Sequence, residues 1–331
     1  YVDGDGRRKP VLVFAAGYDD SQDAPGLVTP DSMGRGIYIV DAQTGALVWS
    51  VTPAANTATN LQAPDLLYSV PAVVTPLDSN GDELADRLYF GDTGGNLWRV
   101  DMPGDSLPTA LQDTWSIVKM AAMNGGAEGT DRRFFSGVDV VRTTFSGRDY
   151  DALLIGTGDR SNPNGTDVAN QFYMIRDPQI LPYNAAAPST EECAAPDPVF
   201  DFRCQLPLGP ADLFDVTNPI QEGTPEEQST ALAELLAANG WRLDLSASGE
   251  KSLSRAITIA GRTFFTTFAP EADESGLCDP YPGVARLYAL GLATAGAVFD
   301  FDGNTSVDRF WTIGSLIPDS PSPHFGWSIC G

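Results

Sequence analysis

Residues 87–101 read Arg-Leu-Tyr-Phe-Gly-Asp-Thr-Gly-Gly-Asn-Leu-Trp-Arg-Val-Asp, and this stretch is the strongest indication of the fold class. Two short runs rich in apolar and aromatic residues, 87–90 and 96–101, flank a segment of Gly, Asp and Thr. Runs of this kind, bounded by turn residues, are typical of strands joined by a tight turn. The stretch therefore predicts two neighbouring antiparallel strands.

The same order of segments recurs along the chain, which indicates a repeated structural unit. A first strand is predicted at 68–74, 135–141 and 253–259. A second strand is predicted at 11–18, 87–94, 152–158 and 262–268, and a third at 36–45, 96–101, 171–177 and 285–290. Residues 46–49 follow Thr44-Gly45 and supply a fourth strand. The unit is therefore a four-stranded antiparallel blade.

A single blade cannot bury both of its faces, so blades of this kind stack radially into a β-propeller. We therefore predict an all-β protein in which residues 1–331 form one propeller domain. Four blades are marked, and at about 45 residues a blade the length allows up to seven. A β-sandwich also explains closely spaced strands, but it does not explain their recurring order. The chain starts at Tyr1 without an initiator Met or a signal peptide, so we expect a mature form or a fragment.

The segment 180–241 is predicted to be an insertion, rich in Pro and Ala, with one helix near 225–238. Thr224 suits the N-cap, Pro225 the first helical position, and Glu227 completes a capping box. The apolar stripe of this helix is predicted to contain Ala231, Leu232, Leu235 and Leu236. The insertion is interpreted as a flap that packs on the propeller or, alternatively, as a surface for a partner.

Charge and residue usage exclude several classes of function. The chain has 44 acidic and 20 basic residues, a net charge of −24, which argues against nucleic acid as a partner. Its one histidine, His324, excludes the HExxH zinc motif and any multi-histidine metal site. No run approaches 18 apolar residues, so no transmembrane segment is predicted.

The four cysteines are too few for a disulfide scaffold, and none forms a CxxC pair. Their even number favours two disulfides in a secreted protein, and we predict the pairs Cys193–Cys204 and Cys278–Cys330. Four ordinary buried thiols are the alternative.

Residues 78–86 have the residue spacing of a calcium loop. Side-chain oxygens occupy positions 1, 3, 5 and 9, and position 7 offers a backbone carbonyl. Ca²⁺ takes six to eight oxygen ligands, and a tight loop directs alternate residues at one centre. Glu83 and Tyr89 depart from the EF-hand pattern at positions 6 and 12, so the site lies between strands rather than between helices. The predicted ligands are Asp78, Asn80, Asp82, the Leu84 carbonyl and Asp86. A solvated turn of Asp and Asn is the alternative.

A second run with the same spacing, 300–308, is a further candidate for calcium. Its oxygen-bearing residues are Asp300, Asp302, Asn304, Ser306 and Asp308. Residues 3–6 (Asp-Gly-Asp-Gly) are a weaker candidate, as the remnant of a third such loop. An acidic turn is the alternative reading of both segments.

Residues 77–101, which join the acidic loop to the two strands, resemble the PilC/PilY family of type IV pilus proteins. Residues 13–18 with 38–45, and 249–255 with 263–268, are similar to other blades of that family. The resemblance does not cover 180–240, and it begins partway through the family's propeller. No RGD tripeptide occurs.

The resemblance implies a C-terminal β-propeller without enzymatic activity, which binds Ca²⁺ and supports pilus extension and surface adhesion. It implies that Asp78, Asn80, Asp82, Leu84 and Asp86 are the calcium ligands. The implied partners are minor pilins or pilus tip components and a host or abiotic surface. The implied location is the pilus tip or outer cell surface, reached by export through the periplasm.

Two enzyme classes remain as alternatives to this interpretation. Residues 41–49 resemble one tryptophan-docking repeat of the pyrroloquinoline-quinone dehydrogenases, a motif expected in most blades but present once here. A secreted carbohydrate-active propeller would use paired carboxylates, and no pair among the 44 acidic residues has a distinctive setting.

Overall fold

The structure is a computed structural model that describes residues 1–23, 26–104, 107, 115–182, 202–271 and 283–323. Cys204 is disulfide-bonded. Cys193, Cys278, Cys330 and His324 lie outside the described residues, so the two predicted pairings stay predictions.

The described strands form four sheets that follow one another along the chain. The first sheet contains β1 (Val11–Ala15), β2 (Ile37–Asp41), β3 (Leu47–Thr52) and β4 (Asn60–Gln62). The second contains β5 (Thr75–Leu77), β6 (Arg87–Gly91), β7 (Asn96–Asp101) and β8 (Ser116–Ala122). The third contains β9 (Asp139–Phe145), β10 (Arg148–Gly156), β11 (Gln171–Asp177), β12 (Phe214–Asp215) and β13 (Gly240–Asp244). The fourth contains β14 (Ile257–Ile259), β15 (Arg262–Pro270), β16 (Gly283–Gly291) and β17 (Phe310–Gly314).

Each sheet is a blade of a β-propeller, and its neighbouring strands are antiparallel except for the pairs β3–β4 and β12–β13, which are parallel, so blades 1 and 3 are not the fully antiparallel units that the sequence predicts. The strand order in blade 3 is β12-β13-β11-β10-β9. Blades 1 and 2 share a core that includes Val51 and Leu88, and blades 2 and 3 share one that includes Tyr89. Blades 3 and 4 share a core in which Phe172 stacks on Phe265, with ring centroids 3.7 Å apart. The cores therefore lie between sheets, where each blade covers the face of its neighbour.

The first strand of a blade begins later than the sequence predicts. The predicted strands at 68–74, 135–141 and 253–259 correspond to Thr75–Leu77, Asp139–Phe145 and Ile257–Ile259. In blade 2, the Val70 N–H donates to the Gly34 carbonyl at 2.9 Å, and the Ser69 carbonyl accepts from the Thr93 N–H at 2.9 Å. Residues 68–70 are therefore bonded to neighbouring loops rather than to a sheet ladder.

One α-helix, α1 (Pro225–Ala237), and four short 3-10 helices are present in the described residues: Asp20–Asp23, Glu128–Thr130, Phe202–Gln205 and Pro210–Asp212. The Glu227 N–H donates to Thr224 Oγ1 at 3.3 Å and the Thr224 N–H donates to Glu227 Oε2 at 2.7 Å, a reciprocal capping box. Leu235 is buried, whereas Leu232 and Leu236 are 39% and 38% exposed, so the apolar stripe is narrower than predicted. None of the described helices has the length and apolarity needed to span a bilayer.

Candidate metal centres

Residues 78–86 form the loop that joins β5 to β6 in blade 2. The Asp86 N–H donates to the Leu77 carbonyl at 3.0 Å and closes the loop at its base. Gly81 and Glu83 have φ angles of 81° and 70°, in the left-handed region. Glycine adopts this region without cost, whereas Glu83 is held there against its preference. The loop is thus a tight, defined turn.

The carboxylate of Asp78, at the first position, organises this turn. It accepts hydrogen bonds from the backbone N–H groups of Gly81 (2.6 Å), Glu83 (2.8 Å) and Asp82 (3.2 Å). Burial raises the pKa of Asp78, but these N–H groups outweigh it and hold the pKa below its ordinary value. The side chain is therefore a stable anion.

Asp86, at the ninth position, has different hydrogen-bond partners from Asp78. It is 4% exposed, and its two oxygens accept the Ser79 N–H at 2.9 Å and the Ser79 hydroxyl at 2.8 Å. Burial raises the pKa of the Asp86 carboxyl above its ordinary value. Both of its oxygens are therefore already used within the loop.

Residues 300–308, which precede β17 in blade 4, follow the same backbone path. Asp300 accepts hydrogen bonds from the N–H groups of Gly303 (2.7 Å), Thr305 (2.9 Å) and Asn304 (3.2 Å). Gly303 and Thr305 have φ angles of 77° and 76°. The Asp308 N–H closes the loop on the Phe299 carbonyl at 2.7 Å. Each of these features has its equivalent in residues 78–86.

Three carboxylates converge in this second loop. Asp300, Asp302 and Asp308 each place an oxygen within 4.8 Å of the others. Like charges this close repel one another, and a cation among them would relieve that repulsion. The N–H of Thr305 does most to lower the pKa of Asp300 below its ordinary value, so this carboxyl is ionised at neutral pH. These residues could hold a metal ion.

The other side chains of the second loop that could offer an oxygen to a metal are hydrogen-bonded to one another. Ser306 donates to the Asn304 side-chain oxygen through its N–H at 2.8 Å and through its hydroxyl. Asn304 donates its side-chain amide to Asp302 at 2.8 Å. The side chains at positions 3, 5 and 7 are therefore adjacent.

Within the part of the chain that the structure describes, 78–86 shows no such trio of carboxylates. Its third position is Asn80, whose side chain donates to Asp82 at 3.0 Å, and Asp86 is turned to Ser79. The sequence favoured 78–86 over 300–308 as a calcium site, whereas the carboxylates that converge among the described residues are those of 300–308.

Residues 3–6 form a small acidic turn. Asp3 accepts hydrogen bonds from the N–H groups of Asp5 (3.0 Å) and Arg7 (2.8 Å). The Arg7 guanidinium lies 3.4 Å from the Asp5 carboxylate. The cation beside these acids is therefore an arginine of the same turn.

A buried ion network between blades 2 and 3 was not predicted from the sequence. Arg87 and Arg99 each donate to Asp101 at 2.8 Å, and Arg99 also reaches Asp177 at 2.7 Å. Arg87 lies 3.4 Å from Asp151. These five side chains are 2% exposed or less, so the charges are compensated inside the protein.

Arg142 links this network to the acidic loop of blade 2. Its guanidinium pairs with both oxygens of Asp151, at 2.9 and 3.1 Å, and donates to the Ser79 carbonyl at 2.6 Å. It also donates to the Ile180 carbonyl, where the predicted insertion begins. Loop 78–86 is therefore fixed to the interior of the domain.

The fold and these loops define a β-propeller domain with acidic turns of metal-binding spacing between its strands. No family model matches the chain. A type IV pilus biogenesis factor PilY1 homolog from Xylella fastidiosa (strain Temecula1) is 21% identical over 277 residues, which cover 79% of this chain and 17% of that protein.

The crystal structure of the Pseudomonas aeruginosa PilY1 C-terminal domain is similar with a TM-score of 0.54 and 18% identity. The match covers 90% of this chain and 60% of that one. The chain thus spans about a sixth of the curated relative and three fifths of the solved chain. The predicted β-propeller and the resemblance to the PilC/PilY family are confirmed.

Proposed function

We propose that this chain is the propeller part of a non-enzymatic type IV pilus biogenesis factor that binds calcium and supports pilus extension and surface adhesion. The observation that carries the proposal is that the sequence comparison and the structure comparison lead to the same kind of protein. Both the relative of known sequence and the solved domain are PilY1 proteins.

The loop geometry supports calcium as the cofactor. Ca²⁺ prefers carboxylate, amide and carbonyl oxygens at flexible coordination numbers, whereas Mg²⁺ demands a strict octahedron and sheds water reluctantly. Short loops with Asp, Asn and Ser at alternate positions supply such a set. The proposed ligands in blade 2 are Asp78, Asn80, Asp82, the Leu84 carbonyl and Asp86. Those in blade 4 are Asp300, Asp302, Asn304, Ser306 and Asp308.

The buried charged groups support a structural rather than a catalytic role. Glu250 is an example: it accepts hydrogen bonds from Thr267 at 2.6 Å and Tyr288 at 2.9 Å, and it pairs with Arg286 at 2.5 Å. A fully satisfied carboxylate of this kind stabilises a fold and is a poor general base.

The proposed partners are minor pilins or other pilus tip components, and the proposed target is a host or abiotic surface. The proposed location is the pilus tip or outer cell surface, after export through the periplasm. The disulfide at Cys204 suits an oxidising compartment of this kind. The net charge of −24 makes a nucleic-acid partner unfavourable.

The test is made in the bacterium that encodes the chain. The gene is deleted and then restored as wild type or as Asp82→Ala, Asp302→Ala or Asp65→Ala, and sheared surface pili and twitching zones are measured. Asp65 is an exposed acidic residue outside both loops and serves as the control. We expect deletion to reduce surface pili, and the two loop variants to alter extension at normal protein levels. Normal piliation and twitching after deletion would contradict the proposal.

A further inference from the structure

Residues 179–181 follow the end of β11 in blade 3 and belong to no helix or strand. Within the described part of the chain, their backbone forms no hydrogen bond with another backbone group. Arginine side chains from other strands bind them instead. Arg87 donates to the carbonyls of Gln179 and Leu181, the latter at 2.6 Å, and Arg99 donates to the Gln179 side-chain oxygen at 2.6 Å. The position of this segment therefore depends on arginine side chains rather than on a sheet ladder.

Arg142 joins the same segment to the acidic loop of blade 2. Its guanidinium donates to the Ser79 carbonyl at 2.6 Å and also to the Ile180 carbonyl. The two oxygens of Asp151 hold this guanidinium at 2.9 and 3.1 Å, and Asp151 is fully buried on β10. A planar guanidinium on a rigid support serves several acceptors in fixed directions. One side chain thus bridges two segments that are distant in sequence.

This bridge links the order of the two segments. Ser79 lies between the first two proposed ligands of the calcium loop at 78–86. Fixing its carbonyl restricts the loop before a metal arrives, and a site ordered in advance loses less conformational entropy on binding. Conversely, a loop ordered by calcium keeps the Ser79 carbonyl in place and with it the contact from Arg142 to Ile180. Segments without backbone hydrogen bonds open at low free energy, so the opening of 179–181 is an equilibrium that calcium can bias.

We propose that Arg142 couples calcium binding at 78–86 to the anchoring of residues 179–181, so that each stabilises the other. This coupling rests on the calcium site proposed above and adds its regulation. Linkage makes the effect reciprocal: loosening 179–181 weakens calcium binding by the same factor by which calcium tightens the segment. Calcium thereby controls how firmly the chain that leaves β11 is held on the propeller.

The test is calorimetric titration of calcium into the 331-residue chain carrying Asp302→Ala, which removes a proposed ligand of the other loop. In this parent chain, Arg142→Met should lower the calcium affinity about fivefold. Electrostatics alone predicts the opposite sign, because removal of a positive charge near the site favours the binding of a cation. Ile180→Gly favours the open segment through chain entropy, so calcium should bind about threefold more weakly while Arg142 is present. It should cause no further loss when combined with Arg142→Met.

Ile317→Gly is the matched control, since Ile317 follows β17 in blade 4 and is 46% exposed. It should bind calcium as the parent chain does. Hydrogen exchange of residues 179–181, measured by mass spectrometry, gives a second readout. Calcium should slow this exchange several-fold in the parent chain and leave it unchanged in Arg142→Met. The Arg142 side chain is 38% exposed, and circular dichroism verifies the fold of the variant.

Ile180→Gly and the exchange measured on the parent chain keep the test decisive if Arg142→Met folds poorly. The coupling is overturned, and the calcium site stands, if Arg142→Met binds calcium as tightly as the parent chain. The same holds if the effects of Arg142→Met and Ile180→Gly add in full, if Ile317→Gly weakens binding as much as Ile180→Gly, or if calcium leaves the exchange of 179–181 unchanged in the parent. Absence of calcium binding by the parent chain would overturn the site and the coupling together.

Discussion

The loop at 78–86 lies between two strands of blade 2, whereas the loop at 300–308 leads into the exposed last strand of blade 4. Both begin with an Asp that accepts three backbone N–H groups, and both end with an Asp whose N–H closes the loop. In the first loop, the carboxylate of the final residue, Asp86, accepts hydrogen bonds from the N–H and the hydroxyl of Ser79. In the second, three carboxylates face one another.

The residue at the second position accounts for part of this difference. Ser79 offers Asp86 a hydroxyl as well as an N–H, so the carboxylate turns to it. The equivalent residue, Phe301, packs on Trp311 with ring centroids 6.2 Å apart and has no hydroxyl to offer. The third position adds to the effect, because Asn80 is neutral where Asp302 is charged. A shared spacing thus fixes the backbone, and the intervening residues decide where the charges lie.

The surroundings of the two loops also differ. Arg142 fixes the Ser79 carbonyl to the buried ion network, while every residue of β17 (Phe310–Gly314) is exposed. Regions with few buried contacts open locally at lower free energy than the core. Changes in the first loop should therefore alter the stability of the whole domain. Changes in the second should mainly alter the local opening of β17 at the edge of blade 4.

The largest expected effect comes from Arg87→Met, which removes the fully buried guanidinium behind the first loop. Asp101 and Asp151 would lose a partner in the interior, and breaking a buried ion pair costs about 3–5 kcal/mol. We expect that loss in the free energy of unfolding, measured by urea denaturation. Arg309→Met, next to the second loop, is the control: Arg309 donates to Thr217 but leaves two buried N–H groups unpaired, so its removal should cost about 1 kcal/mol or less. Equal losses in both variants would contradict the difference in anchoring.

The pH dependence of the unfolding free energy should follow the titration of Asp92, a buried carboxyl group in blade 2. Burial raises the pKa of Asp92 to about 6, although it accepts hydrogen bonds from Trp98 and Asn96. The native state therefore binds this proton more tightly than the unfolded chain does, and its contribution is lost as the pH rises through about 6. Relative to Asp92→Asn, the wild type should lose about 2 kcal/mol of unfolding free energy between pH 4 and pH 7. An energy gap that stays constant across this range would contradict the prediction, and Asp65→Asn controls for surface charge.

Calcium should stabilise the domain chiefly through the first loop. At a hundredfold excess over Kd, one site adds about 2.7 kcal/mol to the free energy of unfolding. We expect chelation to lower the melting temperature and calcium, rather than magnesium, to restore it. Asp82→Ala should abolish most of this shift.

Asp302→Ala is the matched comparison for the second loop. It should leave most of the melting shift intact and instead remove the calcium-dependent protection of Phe310–Gly314 from hydrogen exchange. A melting temperature that is indifferent to chelation in the wild type would rule out stabilisation by calcium at either loop.

The smallest effect is expected from Ser79→Ala. The variant loses one hydrogen bond to Asp86, which costs about 1 kcal/mol in chelator. It also frees one oxygen of the Asp86 carboxylate, while the backbone N–H of residue 79 still donates to the other, so the first loop should bind calcium several-fold more tightly. Ser306→Ala, which removes an exposed hydroxyl bonded to Asn304, should change stability by less than about 0.5 kcal/mol. Weaker calcium binding by Ser79→Ala would show that Ser79 orders Asp86 as a ligand instead of withholding it.

Local signals were sufficient for the strands and for the path of the loops. The apolar runs at 87–91 and 96–101 are bounded by turn residues, so β6 and β7 could be predicted closely. The boundaries of the first strands could not, because residues such as Val70 bond to loops that are distant in sequence. The Asp at position 1 of each loop bonds only to residues within five positions, which is why the spacing alone predicts the turn.

The ion network depended on contacts that sequence spacing does not show. Arg87 and Asp151 are 64 residues apart, and Asp177 lies on a third strand. The sequence nevertheless contained a signal for the ion network. Arg87 and Tyr89 are two positions apart and so lie on one face of β6, and Arg99 and Asp101 likewise share one face of β7, inside otherwise apolar strands. Charges in phase with the buried face of a strand indicate a paired interior cluster. The turning of Asp86 to Ser79 carried no such signal, since Ser is common in acidic turns.

Calorimetric titration of calcium into the chelator-treated chain tests most directly whether both loops are metal sites. We predict two binding sites for the wild type, one for Asp82→Ala, one for Asp302→Ala and none for the double variant, with all four proteins folded by circular dichroism. Two sites retained in the double variant, or no binding by the wild type, would contradict the assignment of calcium to these loops.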